Sequence, residues 1–191
     1  MKRIGLITLA FFLVTQIFLT NQSFAQQKDS KLELFSNQTM DKIKNDDFEN
    51  LFSDFYLPKE YTEKDTQNDK EAVTVGLKEL IQNEMGLLEN FSSIDSVTEK
   101  LITLNIATGS PETTGNLPST NLFYKAMFTK FGDGYVAIGI YKEGEKLFIK
   151  NITFGLPASS PKSIEIAQDF GRFMMNIATE QQKRNTSSTL Q

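Results

Sequence analysis

The chain has no cysteine, no histidine and no tryptophan. Without cysteine it can form neither a disulfide nor a thiolate, so no sulfur nucleophile or thiolate metal ligand exists. Without histidine the Ser-His-Asp and Cys-His arrangements and imidazole ligation of zinc are excluded as well. Arginine is scarce: Arg3, Arg172 and Arg184 are all there is. Paired guanidinium capture of phosphate or carboxylate is therefore not expected. The formal charge is −4, which argues against nucleic acid as a partner, because phosphate contacts demand a basic footprint. The chain shows no P-loop, no dinucleotide glycine fingerprint and no HExxH. FGDGYV (131–136) has two glycines but reads as a hairpin turn.

What is present begins with a positive start, Lys2 and Arg3, followed by a mostly apolar run over 4–19. Ser23-Phe24-Ala25 then offers small residues at a cleavage site, the order of a secretory signal peptide. The apolar run is interrupted by Thr8, Thr15 and Gln16 and is short for a membrane span. Residues 1–25 are thus expected to be removed on export, leaving no stable membrane anchor. Localisation is expected to be periplasmic or secreted. Removing Lys2 and Arg3 takes the 20 basic residues to 18 against 24 acids, so −4 becomes −6. Residues 26–182 are long enough for one domain with its own core, and 183–191 read as a disordered tail. With no cysteine, packing alone must hold that domain together, and phenylalanine supplies most of its bulk.

Periodicity organises this domain. Residues 31–45 read as a helix broken at Asn45-Asp46-Asp47, with the aspartates as a recap. Phe48, Leu51, Phe52 and Phe55 follow at i, i+3, i+4, i+7, predicting a second helix over 47–56 that Pro58 ends. The charged run 59–69 reads as a loop. In it Asp65 and Asp69 only poorly match a calcium loop. Residues 69–91 read as a long helix, with Glu84 beside its apolar stripe. Strands are expected over 97–107, 121–131, 135–142 and 146–155, the last three joined by glycine turns. Ser160-Pro161 opens a final helix, by N-cap and first-turn preference. The strand over 121–131 is apolar on both faces, so its second face is expected to be covered by the last helix or, as second choice, by a homodimer partner. Segregated helices and strands give an α+β fold: N-terminal helices on a curved antiparallel sheet of about four strands, with an extra C-terminal helix.

The helix pair broken at Asn45-Asp46-Asp47 with Phe48, Leu51 and Phe52 after it, the helix ending MGLLENF (85–91) and the strand IKNITFGLP (149–157) together resemble the cystatin-like and nuclear-transport-factor-like cone folds. The resemblance spans about residues 31–156 and implies a fold rather than an activity. Cone folds of the ketosteroid-isomerase kind set tyrosine hydroxyls and one carboxylate inside the cone. Tyr56, Tyr61, Tyr124 and Tyr141 are the corresponding ligand-pocket candidates, yet no Asp or Glu falls within a predicted strand except at its ends. The expected function is accordingly a non-enzymatic exported domain binding a small apolar ligand or a protein partner, with no cofactor and no metal. The alternatives are a carboxylate/tyrosine isomerase or hydrolase, and a structural protein that maintains the envelope.

Overall fold

The computed structural model describes residues 29–109 and 114–187. The expected signal peptide lies outside them. Helix α1 (Ser30–Lys44) starts at Asp29, whose carboxylate accepts from the Lys31 amide at 3.0 Å. It buries Ser36, Thr39, Met40 and Ile43 along one side. The chain reverses at Asp46, which sits at φ 56, a left-handed conformation that aspartate tolerates. Asp47 precedes α2 (Phe48–Phe52) but makes no side-chain cap; its carboxylate is held instead by Asn50 Nδ2 at 2.9 and 3.0 Å.

Helix α2 stops short of the expected residue 56 because the chain beyond it joins the sheet. The Ile149 amide donates to Asp54 O at 2.7 Å, and the Tyr56 amide donates back to Ile149 O at 2.9 Å. Two such bonds satisfy backbone groups that a further helical turn would have used.

The charged run expected as a loop is mostly helix: α3 spans Glu63–Lys78. Thr62 caps it through a reciprocal box, its hydroxyl accepting from the Asp65 amide at 3.2 Å while Asp65 Oδ2 accepts from the Thr62 amide at 3.0 Å. The first turns carry few apolar residues, so hydrophobic periodicity is silent there. The helix continues as a π-helical segment, Glu79–Met85, and ends at Gly86 with φ 84. A Cβ at Gly86 would sit 2.2 Å from Thr129 Oγ1 and 2.5 Å from the Lys130 amide nitrogen, so only glycine lets the two segments meet. Lys130 Nζ then donates to the carbonyls of Gln82 and Asn83 at 2.8 and 2.9 Å, which satisfies the helix end.

This early stop corrects the expected helix end at residue 91. Leu88–Ile94 is strand β1, pairing with β3. Strands β2 (Leu101–Ala107), β3 (Thr120–Phe128), β4 (Gly132–Glu143) and β5 (Lys146–Pro157) complete an antiparallel sheet of order β1-β3-β4-β5-β2. There are five strands among the described residues rather than about four, and β2 starts at Leu101 rather than 97. Helix α4 (Pro161–Ser187) follows, running past the expected end at Gln182.

The fold is α+β, with the helices on one face of the curved sheet. Leu104 and Ile106 of β2, Tyr124, Ala126 and Phe128 of β3, Val136, Ile138 and Ile140 of β4, and Ile152, Phe154 and Leu156 of β5 all join one core. Met40, Leu77, Ile81, Ile166, Phe170 and Met174 enter it from the helices. Helix α4 packs against α3: Gly76 brings the pair so close that a Cβ there would lie 3.0 Å from Met174 Sδ. Gln181 Nε2 donates to Asn68 O at 2.9 Å, and Arg184 reaches both oxygens of Glu71 at 3.0 Å. The last helix therefore lies on the side of the other helices. The expectation that it covers the second sheet face is corrected, and among the described residues no helix covers that face.

Candidate functional site

At one end of the open face Tyr141 of β4 pairs across from Phe148 of β5. Tyr56 follows Phe55, which is buried in the core, and so faces the opposite way. Its ring meets Tyr141 edge-on at 5.0 Å and Phe148 at 5.9 Å, both at 82°. The three rings are half-buried. The Tyr56 carbonyl accepts from the Thr108 hydroxyl at the end of β2, which ties this segment to the start of the crossover towards β3. Lys150 Nζ holds the crossover from below, donating to Gly115 O at 3.1 Å and Leu117 O at 2.6 Å. Burial lowers the Lys150 pKa.

Beside this cluster Tyr61 donates its hydroxyl proton to Asp69 Oδ2 at 2.9 Å. The Gly109 amide donates to the same oxygen, also at 2.9 Å. Burial raises the Asp69 pKa, against the pull of the Gly109 amide and the Tyr61 hydroxyl. The Tyr61 hydroxyl is raised well above the usual phenol value by burial and by the Asp69 charge. Asp69 thus joins α3 to the segment after β2.

Of the four tyrosines expected at a pocket, Tyr56 and Tyr141 touch, and Tyr61 lies next to them through the neighbouring Thr108 and Gly109. Tyr124 does not join them. It lies on the helix face, 2 % exposed, where its hydroxyl donates to Asn37 Oδ1 at 3.0 Å and shares a hydrogen bond with Ser36. Its ring packs edge-on against Phe91 at 5.7 Å, so it fastens α1 to the sheet.

Sequence reasoning passed over a second feature of the open face. Asn121, Gly139 and Asn151 lie side by side on β3, β4 and β5. Asn105 and Thr153 face each other on β2 and β5. Asn151 Nδ2 donates to Asn105 Oδ1 at 3.1 Å and to Thr153 Oγ1 at 3.0 Å, and Thr153 Oγ1 donates to Asn105 Oδ1 at 2.9 Å. Alternation places each residue outward on its own strand. Only the pairing of strands far apart in sequence puts them together. The face's charges are paired locally: Lys125 with Asp133 at 2.9 Å, and the Tyr135 hydroxyl on Glu99, which pushes that phenol up to about 12.

The remaining acids are accounted for locally. Asp65 belongs to the capping box rather than to a calcium loop. Glu84 has a raised pKa from burial and from Asp169, Glu79 and Glu165. Among the described residues no group of three or more acidic side chains could hold a metal ion, and no helix is long and apolar enough to cross a membrane. No protein-family model, curated protein or solved structure matches the chain.

Proposed function

We propose that this protein is an exported, non-catalytic binding domain that engages its ligand or partner on the open face of the sheet. One observation carries the reading: among the described residues that face bears no helix, yet it presents the half-buried rings of Tyr56, Tyr141 and Phe148. Partly buried aromatic side chains beside polar groups are the usual makings of a recognition surface. The helix side supports the same reading, because Phe48, Phe128 and Phe154 are packed in its core at no more than 1 % exposure. We include in this proposal a periplasmic or secreted location, an envelope protein partner or a homodimer as occupant, and kinship with the cystatin-like and nuclear-transport-factor-like cone folds.

The test is a native mass spectrum of the exported protein. The reading expects a mature start at Gln26 and a retained ligand, partner or second copy that Tyr141→Ser or Phe148→Ser releases. Adducts unaffected by both substitutions would move binding off this face.

A second reading, a carboxylate/tyrosine isomerase or hydrolase, draws on the Tyr61–Asp69 pair and the raised Asp69 pKa. A general base must be free to meet substrate, whereas Asp69 Oδ2 is engaged by both Tyr61 and the Gly109 amide. Turnover of any activated ester or enolisable ketone that Asp69→Asn abolishes, in a variant still folded, would reverse the order of the two readings.

A further inference from the structure

The triangle of Asn105, Asn151 and Thr153 uses up the Asn151 amide protons, the Thr153 hydroxyl proton and the Asn105 carbonyl oxygen. Two groups are left over. Asn105 Nδ2, on an exposed residue, donates to no protein group among the described residues, and Asn151 Oδ1 accepts from none. The triangle fixes both side chains, so this donor and this acceptor are held in place rather than free to rotate. A rigid amide donor beside a rigid amide acceptor matches adjacent hydroxyls, each of which gives one proton and takes another.

Gly139 is the second observation. Its φ is not positive, so the backbone does not ask for glycine. A Cβ there would instead lie 2.3 Å from Asn151 Oδ1 and 3.1 Å from Asn121 Oδ1. Glycine in mid-strand gives up packing and costs conformational entropy, and marks places where something must approach the backbone closely. Here the sequence bears that cost at the place where two amide oxygens lie over the strand. Ala137 carries only a methyl in the adjoining row, between Phe123 and Thr153, whereas the space over Gly155 is taken by Leu101, whose Cδ1 would lie 2.6 Å from a Cβ there. Tyr141, Phe148 and Tyr56 close one end, and Tyr135 stands at the other. Tyr135 and Tyr141 are six residues apart on β4, a track of ~20 Å at the usual rise of a strand.

Charge narrows the occupant. Lys125 and Asp133 neutralise each other, and Lys150 gives its ammonium to two carbonyls. A phosphate or carboxylate ligand would find no unmatched cation among these residues. A protein partner would favour a central aromatic or arginine anchor; among the described residues the one central ring is Phe123 on β3, at the flank of a row that continues through Ala137 and Thr153 to Asn105, and the two middle rows otherwise present amide, hydroxyl and small residues.

We propose that the open face binds a neutral glycan strand, with Asn105, Asn151 and Thr153 bonding its hydroxyls over Gly139 and with Tyr141, Phe148 and Tyr56 stacking on a sugar ring. The proposal rests on the reading of the open face as the binding surface and names its ligand class.

The probes are the β-linked hexamers of N-acetylglucosamine and of glucose, titrated into the isotope-labelled protein while its amide resonances are followed. Saturable shifts are expected at Asn105, Gly139, Asn151, Thr153 and Tyr141. Asn151→Ala and Tyr141→Ala should each weaken binding ~10-fold, the scale of one lost hydrogen-bonding or stacking contact, while each variant keeps a single cooperative urea transition. Tyr124→Phe, on the opposite face, should leave affinity as it is. No response to either hexamer, or shifts confined to the helix side, would overturn the proposal. A photo-crosslinker at Thr103, carried in the exporting cell, separates the two failures. Crosslinks to a protein or a second copy without glycan binding overturn the glycan and leave the open-face reading standing. Neither crosslink nor glycan binding removes both.

Discussion

Phe154 and Thr153 are neighbours in the chain and belong to opposite worlds. Phe154 is fully buried, with its ring 6.4 Å from that of Phe128 and helices above it. Thr153 points the other way, into a polar triangle that reaches solvent. The same alternation runs through Val136 and Ala137, and Leu104 and Asn105, while Gly139 after Ile138 faces outward but is buried beneath Asn151. One face is chosen for volume, the other mixes directed polar contacts with half-buried rings such as Phe123, Tyr141 and Phe148, and the period of a strand keeps the two apart. Substitutions on the two faces should then differ in kind: the first set changes stability, the second changes what the protein holds.

The largest expected effect is on the helix face. Phe154→Ala opens a cavity in the shared core and should cost about 3–5 kcal/mol, read from denaturant unfolding. Thr153→Ala, one residue earlier, should stay within about 0.5 kcal/mol of wild type. Equal costs at the two positions would break the comparison, because they would mean that the open face is sealed by something as tightly as the core.

Tyr124→Phe comes next. It keeps the ring against Phe91 but removes the hydroxyl from Asn37 and Ser36, which should cost about 1 kcal/mol. This residue also marks the limit of sequence reading. Alternation places Tyr124 with Leu122, Ala126 and Phe128 on one face of β3, but says nothing of which face the helices take. The order of elements and the meander of β3, β4 and β5 were legible because glycine turns and period-2 patterns are local signals. Strand β1 was not, since its apolar residues Leu88 and Phe91 continue the spacing of the helix before it, and only the turn at Gly86 breaks that spacing. The start of α3 was hidden for the opposite reason: its signal is the Thr62–Asp65 cap, not hydrophobicity. The amide triangle draws on β2 and β5, 46 residues apart at Asn105 and Asn151, so no local pattern reports it.

Asp69 tests the border between the two faces. Burial raises its folded carboxyl above the ordinary value of 3.8, so the folded state holds the proton more tightly than the unfolded chain. The stability it contributes is full below pH 3.8 and is lost as pH rises through the raised folded value. Asp69→Asn carries no charge to bury and keeps an oxygen for Tyr61 and Gly109. It should be at least as stable as wild type at pH 7, with the difference closing below pH 3.8, as urea midpoints at the two pH values would report. A large loss at pH 7 would show that the ionised carboxylate is what the Gly109 amide and Tyr61 require.

The smallest effect concerns Gly139 and is the sharpest probe of the open face. Replacing glycine by alanine inside a strand ordinarily gains about 0.5–1 kcal/mol. Here the new methyl would meet Asn151 Oδ1 at 2.3 Å, so Asn151 must turn and its bonds to Asn105 and Thr153 must break. Gain and loss should nearly cancel, and Gly139→Ala alone should shift the urea midpoint little. In an Asn151→Ala background the worst of the clash is gone, since Asn121 Oδ1 at 3.1 Å needs to yield only slightly. The same glycine substitution should then stabilise by about 0.5 kcal/mol, a coupling that a double-mutant cycle reads directly. Additive effects would mean that Gly139 is not reserved for the amides, and the strand would have to need its glycine for some other reason. Coupling would show that a mid-strand side chain is given up to hold Asn151 Oδ1 where it stands, on the face that the core does not use.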